Sequence, residues 1–181
     1  MSQRMAGAAA RPTHASSESK QLLSFQLAEE QYAVSIDSVR EIITYQSVTP
    51  LPQTSPAVLG VTNLRGRIIL VVDLRTALGL DARAPDRKTC VVVTEVASNR
   101  GNTGNSMVGY VVDAVHEVIA LLDEQIDPPP CVAGDPSPAL VTGLARVSQD
   151  QSVLALLDLE RLSSLVLQSP NDGIASEPTT A

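Results

Sequence analysis

The sequence predicts an all-β protein with short helices, built as two small barrels of about five strands each, the second a duplicate of the first. Three observations carry this. Short apolar stretches alternate at period two between clusters of turn residues. The motif D-x-V-x-E-[IV]-I occurs twice, at 37–43 and 113–119. The stretch Gly60-Val61 … Leu70-Val71-Val72-Asp73-Leu74 returns as Gly143-Leu144 … Ala155-Leu156-Leu157-Asp158-Leu159. Two repeats are too few for a solenoid. Closed antiparallel barrels suit them because closure leaves no long unpaired edge. The expected arrangement is two barrels packed on each other with a groove between them.

Taken in order, residues 1–19 are rich in Ala, Ser, Arg and Thr without periodicity and read as a disordered extension. The folded region is expected at 20–168, followed by a second disordered tail at 169–181. Leu23, Phe25 and Leu27 alternate with polar residues, Glu29-Glu30-Gln31 supplies a turn, and Tyr32, Val34 and Ile36 alternate again, giving a hairpin. Ser38-x-x-Glu41 has the form of a capping box for a short helix or turn. Pro50, Pro52 and Pro56 interrupt the chain. Val61 to Val72 holds two strands around Arg65-Gly66. Leu74–Leu78 fits one or two helical turns, stopped by Gly79.

The second repeat runs alike. Thr89–Val96 is a β-branched strand, 98–106 a Gly/Asn-rich hairpin loop, and Met107–Val112 the return strand. Pro128-Pro129-Pro130 breaks the chain. Ala139–Val147 and Ser152–Leu157 are strands, and Asp158 caps a last helix through Leu167.

Composition narrows the function. Apolar residues make up 44% of the 181 and aromatic ones 2%, with no Trp, so the core must be Val, Leu, Ile and Ala. Twenty acidic against 13 basic residues give a net charge of -7, the wrong sign for nucleic acid or an anionic membrane surface. Apolar runs fall far short of the ~20 residues that span a bilayer. The N-terminus lacks the apolar segment of a secretory signal. Cys90 and Cys131 form no CxxC and have no nearby His, so idle thiols in a reducing cytoplasm are expected rather than a disulfide or a metal site.

Little here suggests catalysis. Gly101-Asn102-Thr103-Gly104 lacks the Gly-Lys-Ser/Thr of a phosphate loop. Asp113, His116 and Glu117 are the residues an acid–base enzyme would use, but no nucleophile motif accompanies them, and the first repeat has Arg40 where the second has His116. His14 lies in the extension. No cofactor is expected.

The duplication separates scaffold from function. Asp73 and Asp158 both stand where a strand passes into a helix, which suits N-capping. Gly60 and Gly143 both suit a bend or a close backbone approach. Arg65-Gly66 is different, because the second repeat has the longer Val147-Ser148-Gln149-Asp150-Gln151 there. Arg65 is therefore either a solvated turn residue or a cation held out for a partner. Arg67 and Arg75 are expected to be solvated.

The run GVTNLRGRIILVVDLR, with YAVSIDSVREI before it and VVDAVHEVIAL after it, resembles the CheW family of bacterial chemotaxis coupling proteins across about 20–168. The resemblance implies two SH3-like β-barrel subdomains and a non-enzymatic, cytoplasmic adaptor. Such adaptors link the cytoplasmic tips of methyl-accepting chemotaxis proteins to the regulatory domain of the histidine kinase CheA. Carried over by position, Arg65, Gly66, Val115 and Val118 are receptor-binding candidates. Val39, Glu41 and Gly60 are kinase or partner candidates. For Val39, Val115 and Val118, plain core is the competing reading. A non-flagellar chemosensory pathway is the alternative setting.

Overall fold

The computed structural model describes residues 19–96, 106–129, 140–146 and 153–168. Residues 1–18, 97–105, 130–139, 147–152 and 169–181 lie outside them, and with them the expected terminal extensions, most of the expected 98–106 hairpin loop and Cys131.

Eleven strands are found among the described residues. Alternation makes the first hairpin as expected, β1 (Ser19–Leu27) against β2 (Glu30–Ser35). Its turn falls at Ala28-Glu29, one residue earlier than the polar cluster suggested. A short 3-10 turn at Ile36–Ser38 follows. The capping box does not form. Ser38 instead donates its hydroxyl back to the Ser35 carbonyl (2.7 Å), and the residues after it become strand β3 (Val39–Thr44). Next come β4 (Val58–Leu64), β5 (Arg67–Asp73) and helix α1 (Leu74–Ala77).

The second repeat supplies β6 (Cys90–Val96), β7 (Ser106–Val112), β8 (Ala114–Leu122), the two-residue β9 (Ile126–Asp127), β10 (Val141–Arg146), β11 (Val153–Leu157) and helix α2 (Leu159–Gln168). In both repeats the D-x-V-x-E motif is strand from its valine onward, although apolar residues at i, i+3 and i+4 would also suit a helix. A register shift in each strand brings Val39 and Ile42, and likewise Val115 and Val118, to one face.

The strands form two sheets, ordered β3-β6-β7-β5-β4 and β8-β1-β2-β11-β10-β9. Replacing each strand of the first sheet by its repeat counterpart gives the order of the second, save β9, which has no strand counterpart in the first. Each sheet takes its opening hairpin from the other repeat: β6–β7 joins β3, β4 and β5, while β1–β2 joins β8, β10 and β11. Each borrowed hairpin is held on both sides, antiparallel through β6 with β3 and β1 with β8, and parallel through β7 with β5 and β2 with β11.

The two sheets remain open ladders, but both are wrapped in the same way. Beyond β3 the chain crosses to the far edge, where Thr49 pairs with Val61 of β4. Beyond β8 it turns through 123–125 and pairs as β9 with β10.

This explains strands that are apolar on both faces. In β5, Ile69 and Val71 fill the interior of the first barrel with Val91, Val93 and Val111. Val72, on the other face, enters a larger core shared by both sheets with Phe25, Leu27, Val92, Tyr110 and Leu157. Leu22, Ala33, Ala145 and Leu154 fill the second barrel. Helix α2 lays Leu159, Leu162 and Val166 on the shared core at i, i+3, i+7 spacing. Tyr110 donates its hydroxyl to the Leu159 carbonyl (3.0 Å), and burial pushes its pKa up.

Both aspartate caps form. Asp73 accepts from the Arg75 N–H (3.0 Å) and the Thr76 hydroxyl (2.7 Å), and Asp158 accepts from the Arg161 N–H (3.0 Å). Gly60 and Gly143 both sit at a register shift in their hairpins. A Cβ on Gly60 would lie 2.0 Å from the Thr49 carbonyl oxygen, so the segment bearing Thr49 passes only over a glycine.

Candidate interaction surfaces

The β4–β5 connection is a two-residue turn. Arg65 and Gly66 both have positive φ (50° and 83°), as a type I′ hairpin requires, and the Gly66 N–H donates to Asn63 Oδ1 (2.9 Å). The turn presents the Arg65 side chain 81% exposed, yet its Nη2 lies 2.9 Å from Glu41 Oε2 on β3. Two residues that the sequence singled out separately, one for each partner, are thus a single ionic unit. Gly66 has nothing within 4 Å of its Cβ position and lies open at the tip. Gly60 is buried, so its part is to admit Thr49 rather than to touch a partner.

Val39 and Val115, equivalent in the two repeats, are half-buried against the shared core. Val118 is 51% exposed. Its register partner on β1 is Leu23, a shared-core residue, so Val118 stands on the rim of that core. The same holds in the first barrel. Ile42, the repeat counterpart of Val118, is 41% exposed and pairs with Val92, another shared-core residue. The sequence reading passed over Ile42, although the duplication pairs it with Val118.

A second omission is Ile68, the most exposed large apolar residue described, at 77%. It shares a face of β5 with Leu70 and Val72 but lies past the end of the core, beside Val61, Arg67, Ser106 and Met107. Its repeat counterpart Val153 is 48% exposed. An uninterrupted apolar run hides such a residue, since only register shows where the covering layer stops.

Asp113, His116 and Glu117 do not converge. Asp113 is held by Arg75, whose Nε donates to its Oδ1 at 2.7 Å and whose Nη2 also contacts Oδ2. Burial raises the Asp113 pKa, but the Arg75 hydrogen bonds, the Ala28 N–H and the charges of Arg75 and Arg83 outweigh it and hold the carboxyl below its ordinary value. His116 and Glu117 are exposed on β8, and the bonds to Glu117 from Ser24 involve its backbone alone. Arg75, expected to be solvated, is buried; its guanidinium finds an acid from the other repeat. No group of three or more potential metal ligands occurs among the described residues. No helix there is long and apolar enough to cross a membrane.

Residues 21–166 match the family model described as CheW-like domain. The chain is 31% identical over 145 residues to the chemotaxis protein CheW of Rhizobium meliloti, covering 80% of this chain and 89% of that protein. It is 35% identical over 156 residues to the chemotaxis protein CheW of Klebsiella aerogenes, covering 86% and 89%. Among solved structures, the scaffolding protein TtCheW from Thermoanaerobacter tengcongensis superposes with a TM-score of 0.67 at 34% identity, over 80% of this chain and 92% of that one.

Proposed function

The chain belongs to the CheW family of chemotaxis proteins, which are scaffolds rather than enzymes, and from that premise we propose that it couples the cytoplasmic tips of methyl-accepting chemotaxis proteins to the regulatory domain of a CheA-type kinase. The observation that supports this most is the pair Ile42 and Val118. These counterparts lie on opposite barrels, each next to a shared-core residue and each exposed. A monomer gains nothing by leaving matched apolar residues on the rim of its core, whereas a partner's apolar face buries both. With Val39 and Val115 beneath them, they form the proposed receptor surface.

The hairpin end carrying Ile68, Arg65 and Glu41 is the proposed kinase surface. Arg65 and Gly66 move there from the receptor candidates because Arg65 is paired with Glu41, and Val39 moves to the receptor surface because it lies against the shared core as Val115 does. An apolar centre edged by an ion pair suits a small, reversible protein contact. The cytoplasmic face of a receptor array is the corresponding location.

Calorimetric titration into a receptor-tip fragment, and separately into the regulatory domain of a CheA-type kinase from the same organism, tests the reading. The wild type should bind both. Val118→Ser should weaken only the first and Ile68→Ser only the second. A wild type that binds neither fragment well above micromolar concentration overturns it.

A further inference from the structure

The chain passes between the barrels twice in equivalent places, and the two passages are built differently. From β2 to β3 it passes through the 3-10 turn at Ile36–Ser38. Asp37 is exposed there, and the described side-chain bond within the turn is the local one from Ser38 to Ser35. From β7 to β8 it passes through Asp113 alone. That residue is joined to three other parts of the molecule.

Its carboxylate accepts from Arg75, at the start of α1 in the first repeat. It accepts from the Ala28 N–H (2.7 Å), at the turn of β1–β2. Its own N–H donates to the Gln26 carbonyl (3.1 Å). Arg75 extends the network, with Nη1 donating to the Asp81 carbonyl (3.1 Å) in the segment that joins the repeats. Ala28 has a φ of 55°, a left-handed conformation that a non-glycine residue adopts at a cost, and the Asp113 carboxylate stands where it holds that N–H. The repeat counterpart of this arrangement is absent: Asp37, the counterpart of Asp113, is exposed, and Glu160 stands where the first repeat has Arg75.

We propose that the Arg75–Asp113 pair is a positioning latch that fixes how β8 enters the second barrel, and so where Val115 and Val118 stand relative to Val39 and Ile42. The passage at Asp113 is pinned and the passage at 36–38 is the compliant one. Relative movement of the barrels therefore pivots about Asp113. The geometry of the latch stands on its own, whereas its effect on receptor binding rests on the function proposed above.

The test is backbone hydrogen exchange on the whole chain, comparing wild type, Arg75→Gln, Asp113→Asn and Val92→Ala. The last removes shared-core volume away from the pair and controls for general loss of stability. In both latch variants the amides of Ala28 and of 114–118 should exchange about tenfold faster relative to β6 amides, the factor expected when one charge-assisted hydrogen bond is lost. Val92→Ala should raise all of them together.

Receptor-tip binding of the latch variants should weaken several-fold with binding of the kinase domain retained. Uniform acceleration in the latch variants, matching Val92→Ala, reduces the pair to ordinary packing and overturns the proposal. Selective acceleration with unchanged receptor-tip affinity overturns its role in receptor binding. If wild-type protein binds no receptor tip, the proposed function fails, and the exchange pattern alone decides the latch.

Discussion

Arg65 and Glu41 meet across the seam of the first barrel, Nη2 to Oε2 at 2.9 Å, joining the tip of one hairpin to the strand at the opposite edge of the sheet. The arginine is almost wholly in water, so the pair adds little to stability but orients both side chains at one end of the barrel.

Arg65→Ala should therefore change unfolding free energy by under about 0.5 kcal/mol while weakening binding at that end. The charge swap, Arg65→Glu with Glu41→Arg, should recover part of the affinity if the pair acts through orientation. A clear drop in melting temperature for Arg65→Ala would show instead that the bond supports the barrel.

The two repeat glycines should respond unequally. Gly60→Ala places a methyl group against the Thr49 carbonyl at a φ of 141°, and neither backbone can give way, so a loss of about 3 kcal/mol or more is expected in denaturant titration. Gly143→Ala meets the Ile126 Cγ2 at 2.5 Å and the Asp127 carbonyl oxygen at 3.3 Å, a wider approach to backbone than at Gly60 and without a positive φ, so a smaller loss of about 1–2 kcal/mol is expected. Equal losses would contradict the close approach at Thr49.

Ile68→Ser should leave stability within about 0.5 kcal/mol of wild type, because the residue is already in water. Tyr110→Phe should cost about 1 kcal/mol by removing the buried hydroxyl bond to the Leu159 carbonyl. Thermal denaturation of the two variants side by side distinguishes a residue kept for partners from one kept for the core.

Acid should act on the Asp113 node in one direction. Its folded pKa lies below the unfolded value of about 3.9, so the stability that it contributes is complete above that value and is lost as pH falls through the folded pKa. Asp113→Asn should be less stable than wild type by a constant amount near neutrality, of the order of 3 kcal/mol for a mostly buried pair. The gap should close below about pH 4. A gap that persists into strong acid would mean that the substitution acts through packing.

The strands, the duplication and both aspartate caps were legible because each rests on local signals: period-two alternation, motif spacing and a cap residue at a strand end. Arg75 was misread because its partner Asp113 lies far along the chain and the repeat does not preserve the pairing. Ser38-x-x-Glu41 was misread because a capping signature says nothing about whether a helical face exists to be buried behind it. Ile42 and Ile68 escaped notice because exposure of an apolar residue depends on where the neighbouring layer ends. That is a property of sheet register, not of the residue.

The exchange of opening hairpins has a consequence for ancestry and for dissection. Each barrel is completed by the other repeat, so cutting the chain within 80–88 would yield two fragments that each lack part of their own sheet. Neither should fold alone, but mixed together they should reassemble. The same wiring would arise if two copies of one short chain lent each other an arm and were then joined end to end. On that shared wiring the repeats differ in what they carry: the first has the Arg65-Gly66 tip, and Asp113 of the second grips Arg75 of the first.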